Sequence, residues 1–127
     1  MIQPTRNPRR SEVWLVDFDP SVGAEQRKRR PAVVLSVPGM GSLPLRLVVP
    51  ITSWKPAFAG KPWFTHLQPT STNGLTVESG ADAFQVKSVD IDRFHSKLGE
   101  LEMAQLTDIV AGVALCIGFV PPGTPTA

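Results

Sequence analysis

The stretch SEVWLVDFDPSVGAEQRKRRPAVVLS, residues Ser11–Ser36, decides how the rest of the chain folds. Its first part, Glu12–Asp17, is rich in residues that fit a pleated, half-buried surface, and Ala32–Leu35 is a compact apolar run. Each run predicts a short strand. Pro31 is placed to start the second strand, because proline is tolerated at a strand's first residue but not in its middle. The stretch therefore predicts a hairpin around a long charged loop.

The loop of this hairpin, Asp19–Arg30, has no apolar periodicity and concentrates the cations Arg27–Arg30 beside Glu25 and Gln26. A loop of that length inside a compact domain is usually functional or disordered. The formal net charge of the whole chain is only +2, so its cations are clustered rather than spread over the surface. Such a cluster indicates a focused anionic partner, with a merely solvated loop as the alternative.

Length and composition predict one domain, because 127 residues with 42% hydrophobic content can bury one core but not two. We expect a flexible basic arm at residues 1–10, a single domain at 11–120 and a Pro/Thr-rich tail at 121–127. The single Cys116 fits a reducing compartment. The polar N-terminus lacks the apolar core of a signal peptide, and the longest apolar run, Ile109–Val120, is too short to span a bilayer. These features predict a soluble, cytoplasmic protein.

Further short strands are predicted after the hairpin, joined by Gly- and Pro-rich links. They are Arg46–Ile51, Trp63–Leu67, Ala81–Ser88 and His95–Leu98, with a helical turn at Asp90–Phe94. Pro50 suggests that the third strand stops there or lies at a sheet edge, which would put Thr52 and Ser53 at a strand terminus.

One amphipathic helix is predicted at the end of the domain, over Glu102–Ile117, with Gly118 placed to close it. Its apolar face follows three- and four-residue spacing: Met103, Leu106, Ile109, Val110, Val113 and Ile117. The predicted fold class is mainly β with a C-terminal helix (α+β), a small SH3-like antiparallel barrel on which the helix packs.

Several motifs together resemble one known family, the MazF/PemK toxins. The first hairpin carries the resemblance in Trp14, Asp17–Pro20, Gly23–Gln26 and Arg30–Ser36, and the stretches Val49–Ser53 and Gln85–Ser88 agree in order and spacing. The resemblance covers nearly the whole chain from Glu12 to the final helix. It implies a PemK-type barrel, a homodimer and a ribosome-independent endoribonuclease of a type II toxin–antitoxin system.

The same resemblance implies the reaction and the partner. The substrate would be single-stranded messenger RNA, cut at a short motif by attack of the ribose 2′-hydroxyl, which leaves a 2′,3′-cyclic phosphate and a 5′-hydroxyl. Inhibition would come from a cognate MazE-like antitoxin with an acidic, disordered C-terminal tail. No cofactor is expected. No metal is expected either, since neither His66 nor His95 has a Cys or His at ligand spacing.

Metal-free cleavage of RNA requires groups that stabilise the charge of the phosphorane and move protons. Arginine suits the first role, because its fork of donors matches phosphate oxygens and it stays ionised. Arg30 is anchored beside Pro31, unlike its neighbours in the open loop, and it matches the family's catalytic arginine. Thr52 matches the catalytic threonine, whose hydroxyl can donate to a non-bridging oxygen. Glu25 is the candidate to take the 2′-proton or to orient Arg30.

A second set of residues is predicted to bind RNA around the catalytic group: Gln26, Arg27, Lys28, Arg29, Ser53, Lys55, Gln85 and Lys87. Structural alternatives stay open for several of them. Arg30 could instead be an ion-pair partner of Glu25 or Asp17, and Thr52 an ordinary strand residue. Gln85 could bond to a base edge or could satisfy loop carbonyls.

Two departures from the family pattern bear on how RNA is bound. Phe84 stands where an acidic residue commonly precedes the glutamine, and Arg27–Arg29 replaces a smaller, often Gly-containing stretch. Extra charge in this stretch should raise the salt dependence of RNA binding. Trp54 and Trp63 flank the loop after Thr52 and are candidates to stack on bases or to pack internally.

Three rival readings have different chemistry. His66 and His95 suggest an acid–base pair, although nothing in the sequence brings them together. A non-catalytic toxin that binds gyrase can share this fold but needs no arginine–hydroxyl pair. A degenerate family member that only binds RNA is the third.

Overall fold

The fold is a bent antiparallel sheet with one α-helix, seen in a computed structural model that describes residues 6–120 and Gly123. The seven strands are β1 (Glu12–Asp17), β2 (Arg29–Val34), β3 (Leu45–Ser53), β4 (Phe64–Leu67), β5 (Ser79–Asp82), β6 (Lys87–Asp90) and β7 (Phe94–Glu100). The helix α1 is Met103–Cys116, and short 3-10 turns span Pro56–Gly60, Ala83–Gln85 and Ile91–Arg93. The mainly-β class with a C-terminal helix is confirmed.

The strand order is β4-β5-β3-β2-β1-β7, and β6 also pairs with β3. Within the described residues no ladder joins the edge strands β4 and β7, so the barrel-like sheet is not closed. In the same residues no helix is both long and apolar enough to cross a membrane.

The β1–β2 hairpin forms as predicted, but its second strand begins earlier than the sequence indicated. Leu15 pairs with Pro31 and Asp17 pairs with Arg29, so β2 starts two residues before the proline. The ladder is extended by Phe18, whose N–H donates to the Lys28 carbonyl at 2.9 Å. Because the Phe18 side chain is buried in the core, the base of the loop is fixed while its tip projects.

Strand β3 continues through Pro50 and lies inside the sheet, contrary to the expectation of an edge or an end. It pairs with β2 on one side. On its other side it pairs with β6 over Leu45–Val48 and with β5 over Ile51–Ser53. The proline sits where β3 exchanges one neighbour for the other. A missing N–H is tolerated at such an interruption of a ladder.

The predicted single strand Ala81–Ser88 is broken into β5 and β6 by the 3-10 turn Ala83–Gln85. The physical reason is Asp82, whose carboxylate accepts the N–H of Phe84 at 3.1 Å and caps the turn. A side chain that bonds to nearby backbone competes with the strand ladder. The helical turn after β6 and the last strand β7 both form as predicted.

Alternation along the strands divides the core into two clusters on opposite faces of the sheet. One contains Val33, Val49 and Ile51 together with Leu106 and Ile109 of the helix. The other contains Val16, Phe18, Ala32, Val34, Val48, Val89 and Phe94. Both faces of the central strands are therefore buried, which explains why these runs read as continuously apolar.

Helix α1 begins with a capping box, in which the side chains of Glu102 and Gln105 satisfy each other's backbone N–H groups. It ends with Gly118 at φ +72°, the left-handed conformation predicted for the closing glycine.

The predicted apolar face of the helix is wrong in part. The buried positions are Leu106, Ile109 and Gly112, whereas Met103, Val110 and Ile117 are exposed. A Cβ at Gly112 would lie 3.1 Å from the Ala83 side chain and 3.2 Å from the Trp63 carbonyl oxygen. The helix thus docks through a narrow stripe on β4 and the Ala83–Gln85 turn, and its outer apolar residues stay uncovered.

The arm expected at residues 1–10 is described only from Arg6 onward. Within that part Pro8 is buried, and its carbonyl accepts a hydrogen bond from Arg46 Nε at 2.8 Å. Arg10 donates to the Leu35 carbonyl. The tail expected at 121–127 lies outside the described residues except for Gly123.

A glycine in β7 supplies a stability prediction. A Cβ at Gly99 would lie 2.3 Å from the Thr72 carbonyl oxygen and 2.6 Å from the Asn73 carbonyl carbon. These are backbone atoms that cannot yield cheaply, so Gly99→Ala should lower the free energy of unfolding by about 1–3 kcal/mol. Urea unfolding measures this change. The control Gly60→Ala meets nothing within 4 Å and should stay within about 0.5 kcal/mol of the parent. Equal midpoints for the two variants would contradict the close approach.

Candidate active site

A groove of about 870 Å³ lies between the hairpin loop and the 3-10 turn after β5. Its lining is basic and aromatic, with two carboxylates. The basic residues are Arg27, Arg30, Lys55, Lys61 and Lys87; the aromatic ones are Phe18, Phe58, Trp63, Phe64 and Phe84; the acidic ones are Glu25 and Asp82. This composition suits a chain of phosphates with exposed bases.

Arg30 and Thr52 both line this groove because of the register between β2 and β3. The recorded pairs are Ala32 with Pro50 and Val33 with Val49. The same register continued by two residues sets Arg30 opposite Thr52, and both side chains line the groove. Strand alternation puts them on the same face as the pair Ala32–Pro50. Ser53, the next residue of β3, does not line the groove.

Arg30 is not engaged in the ion pair that the sequence left open as an alternative. In the described part of the chain no salt bridge joins it to Glu25 or Asp17. Its Nε makes a long hydrogen bond of 3.4 Å to the Arg27 carbonyl. The Arg30 guanidinium therefore lies near the start of β2 without a carboxylate partner in the described residues, and it is available to bind an anion.

Glu25 is bound within its own loop. Its carboxylate accepts the N–H of Val22 at 2.7 Å, and its own N–H donates to the Val22 carbonyl at 3.2 Å. Gly23, between these residues, adopts φ +59°, a conformation that suits glycine. The turn presents Glu25 to the groove without linking it to Arg30.

Gln85 reaches from the groove floor to this loop. Its Oε1 accepts the N–H of Gln26 at 2.6 Å, and its Nε2 donates to the Ala24 carbonyl at 3.2 Å. Of the two alternatives drawn from the sequence, the loop contact is the one present in the structure. A role in RNA binding stays a prediction.

Asp82 is a groove residue that the sequence reasoning missed. It is nearly buried at the end of β5, and burial raises the pKa of its carboxyl against the opposing hydrogen bonds from Phe84 and Gln85 and the attraction of Lys61. The Gln85 Nε2 lies 3.4 Å from its Oδ2. The sequence did contain a signal: an aspartate can cap a turn that follows it, so Asp82 could have predicted a break in the strand at Ala83.

The aromatic residues form a chain of ring contacts, one end of which lines the groove while the other lies outside its lining. Trp63 and Phe84 line the groove in an edge-to-face pair with centroids 6.1 Å apart, and Phe84 is 67% exposed. Trp54 stacks on His66 at 4.0 Å outside the groove lining. The rival two-histidine site is not assembled, since His66 lies in β4 and His95 in β7, at opposite ends of the sheet order.

Most predicted site residues therefore come together. Those that line the groove are Glu25, Gln26, Arg27, Arg30, Thr52, Lys55, Gln85 and Lys87; those that do not are Lys28, Arg29 and Ser53. Lys61 was missed as a site residue, although it lies in the long loop after β3. No group of three or more His, Cys, Asp or Glu residues suited to a metal occurs in the ranges that the structure covers.

A second cavity of about 690 Å³ lies between residues 7–10 and the start of β3. Its basic residues are largely used internally: Arg46 bonds to the carbonyls of Pro8, Leu43 and Leu45. The rest of its lining is mainly apolar, so the groove at Arg30 is the better candidate for chemistry.

Comparison with known proteins identifies the class to which this fold and groove belong. The profile of the "PemK-like, MazF-like toxin of type II toxin-antitoxin system" matches residues 9–117. A relative from Mycobacterium tuberculosis, "Endoribonuclease MazF9", is 36% identical over an alignment of 107 residues that covers 80% of this chain and 88% of that protein.

Solved structures agree. MazF from Deinococcus radiodurans superposes with a TM-score of 0.77 at 27% identity, over 91% of this chain and all of that one. An endoribonuclease in complex with its cognate antitoxin, from a mycobacterial species, gives 0.71 at 19% identity, over 91% of this chain and all of that one. At 19% identity, the similarity to the mycobacterial endoribonuclease supports the fold only.

The chain belongs to the PemK-like, MazF-like toxins of type II toxin–antitoxin systems. The family predicted from the sequence is confirmed, and with it the assignment to the endoribonuclease toxins.

Proposed function

We propose that this chain cleaves single-stranded messenger RNA at a short sequence motif, without a metal ion, by attack of the ribose 2′-hydroxyl on the adjacent phosphate. The products would carry a 2′,3′-cyclic phosphate and a 5′-hydroxyl. The observation that carries the proposal is the placement of Arg30 and Thr52 on one face of one basic groove. Messenger RNA as substrate sets the site of action in the cytoplasm.

Arg30 is proposed to stabilise the phosphorane. Attack by the 2′-oxygen adds negative charge to the non-bridging oxygens, and a guanidinium with no carboxylate partner can bind them with two parallel donors. Thr52 is proposed to donate its hydroxyl to one of these oxygens. Glu25 is proposed to accept the 2′-proton or to orient Arg30 through the carboxylate oxygen that does not accept the Val22 N–H.

The RNA strand is proposed to follow the remaining lining of the groove. Phosphates would bind Arg27, Lys55 and Lys87, and the missed cation Lys61 extends this set. Bases would stack on the exposed face of Phe84, since aromatic stacking is how unpaired bases are held. Further contacts are proposed for the predicted RNA-binding residues Gln26, Lys28, Arg29 and Ser53. Gln85, which the sequence also predicted to bind RNA, is bonded to the loop instead.

The first prediction from this proposed mechanism concerns metal dependence. Cleavage should persist in excess EDTA, because the proposed charge stabilisation comes from Arg30 and Thr52. Incubation of a long RNA with and without EDTA, followed by mapping of the 5′-ends, measures both the rate and the end chemistry. Loss of activity in EDTA with recovery in magnesium, or 5′-phosphate ends, would contradict the mechanism. Binding of RNA without any new ends would favour the rival in which the chain only binds RNA.

The second prediction separates chemistry from binding. Arg30→Ala and Thr52→Ala should each lower kcat by about a hundredfold or more, as loss of a donor to a developing oxyanion does. Arg27→Ala should mainly weaken RNA binding and reduce the salt slope by about one unit, as expected for a phosphate contact. Single-turnover cleavage and binding titrations at several salt concentrations distinguish the effects. Equal losses of kcat for Arg27→Ala and Arg30→Ala would contradict this division.

The partners are proposed from the same surface. The cations that would bind phosphates would also attract the carboxylates of an acidic antitoxin tail, with apolar anchors between the charges. A homodimer is proposed through the uncovered apolar residues that line the second cavity: Val37, Met40, Leu43, Leu45 and Leu47.

The third prediction is competition between the antitoxin and RNA. A peptide that carries the acidic tail of the cognate antitoxin should displace labelled RNA from the groove, and moderate salt should weaken both interactions because both depend on the same charges. Fluorescence anisotropy of the RNA measures displacement, with a peptide of scrambled sequence and equal charge as the control. Inhibition of cleavage that leaves RNA bound would contradict a shared groove.

A further inference from the structure

We propose that Gln85 is a positioning residue of the site: its carboxamide clamps Ala24–Gln26 to the groove floor and so sets Glu25 and Arg27 relative to Arg30 and Thr52. This inference rests on the proposed function for its effect on activity, but its structural part does not.

The clamp consists of contacts between parts of the chain that are distant in sequence. The Oε1 of Gln85 accepts the Gln26 N–H at 2.6 Å, and the Nε2 donates to the Ala24 carbonyl at 3.2 Å and to Asp82 Oδ2 at 3.4 Å. These partners fix the orientation of the amide, because the reversed amide would place NH₂ against the Gln26 N–H and its oxygen against two acceptors.

The carboxamide has little capacity left for another ligand. Both hydrogens of the Nε2 have acceptors, and one lone pair of the Oε1 has a donor. To bond to the edge of a base, Gln85 would have to release the loop. Its contacts therefore favour positioning over base recognition.

Little else holds the tip of the loop. Val22 is 78% exposed, and the space beside Gly23 is open. Within the described residues, the hydrogen bonds that connect Val22–Gln26 to other elements are those of Gln85. The base of the loop is held separately, by the Phe18 N–H on the Lys28 carbonyl and by Arg93 on the carbonyls of Asp17 and Asp19.

The floor to which the tip is clamped is rigid. Asp82 caps the 3-10 turn through the Phe84 N–H, and it is nearly buried in β5, where it pairs with Phe64. Ala83, the first residue of the turn, packs closely against Gly112 of α1, where an added Cβ would lie 3.1 Å from the Ala83 side chain. Through its hydrogen bonds to Ala24 and Gln26, Gln85 thus fixes the loop relative to the sheet and the helix.

The consequence for the reaction is orientation. Glu25 lies between the two clamped backbone groups, so loss of the clamp lets its carboxylate move by ångströms relative to Arg30. Displacement of about 1 Å at a reacting group can cost on the order of a hundredfold in rate. Binding of the RNA backbone, which depends on several separate cations, should change much less.

The experiment compares Gln85→Ala with a matched control, Gln68→Ala. Gln68 is exposed, does not line the groove and bonds to Glu78. The first measurement is hydrogen exchange of the Gln26 amide by NMR in RNA-free protein. Gln85→Ala should lower its protection by about tenfold, the loss that corresponds to one hydrogen bond, and Gln68→Ala should leave it unchanged.

The second measurement separates catalysis from binding, on an RNA that spans a mapped cleavage site. Gln85→Ala should lower kcat by about 10–100-fold. Its Kd for the same RNA with 2′-O-methyl groups, which cannot be cleaved, should change less than about threefold. Gln85→Glu tests conservative rescue: it keeps the acceptor for Gln26 but loses the donors, so it should retain part of the amide protection.

Unchanged protection of the Gln26 amide in Gln85→Ala would overturn the clamp. So would a loss of affinity that equals the loss of kcat, or an altered cleavage motif, since either indicates contact of Gln85 with RNA. If the parent protein does not cleave RNA, the proposed function fails, while the exchange measurement still decides whether the clamp exists.

Discussion

The pairing of Ala32 with Pro50 is the constraint on which the rest of the molecule depends. It sets the register of the two central strands, and this register carries Arg30 and Thr52 to the same end of the sheet and the same face. A shift by one residue would turn every side chain of β3 to the other face, which would move Val49 and Ile51 out of the helix-side core. The core and the site are thus specified by the same hydrogen-bonded ladder.

Proline at position 50 is compatible with this role because β3 exchanges β6 for β5 beside it. A proline inside a continuous ladder would leave an acceptor without its donor, whereas at the exchange point no donor is needed. The exchange point also borders the groove, because Thr52 follows it in β3 and Gln85 lies in the turn that joins β5 to β6. Pro50, which suggested an edge strand in the sequence, therefore lies at a point of the sheet that borders the site.

Local features of the fold were predictable, whereas non-local ones were not. The hairpin and the helix with its closing glycine follow from periodicity and turn residues within short stretches, whereas Arg30 and Thr52 were singled out mainly by the resemblance to the family. The contact of Gln85 with the loop joins residues 59 positions apart, and no pattern near either residue encodes it. The buried face of α1 was assigned wrongly for a similar reason: Gly112 is buried because Ala83 and Trp63 approach it closely, not because it is apolar.

The described ion pairs of this protein leave the positive charge of the groove unneutralised. The described ion pairs lie elsewhere, between Lys97 and the carboxylates of Glu12 and Glu100, and between His66 and Glu78. None of them involves a cation of the groove. In a chain of net charge +2, this separation leaves a local positive potential on a nearly neutral body. Such a potential favours rapid capture of a polyanion without general adhesion.

The way the loop is held suits a surface that is proposed to bind both RNA and an antitoxin tail. A neutral hydrogen bond contributes only about 0.5–1.5 kcal/mol net, and the exposed loop tip adds almost no apolar burial. The free energy needed to release the tip is therefore within what a few new charge contacts can supply. A loop packed by a buried side chain could not be displaced so easily, and an unanchored loop would not orient Glu25 at all. The polar clamp proposed for Gln85 lies between these extremes, so it would order the loop for RNA and still allow an antitoxin tail to remodel it.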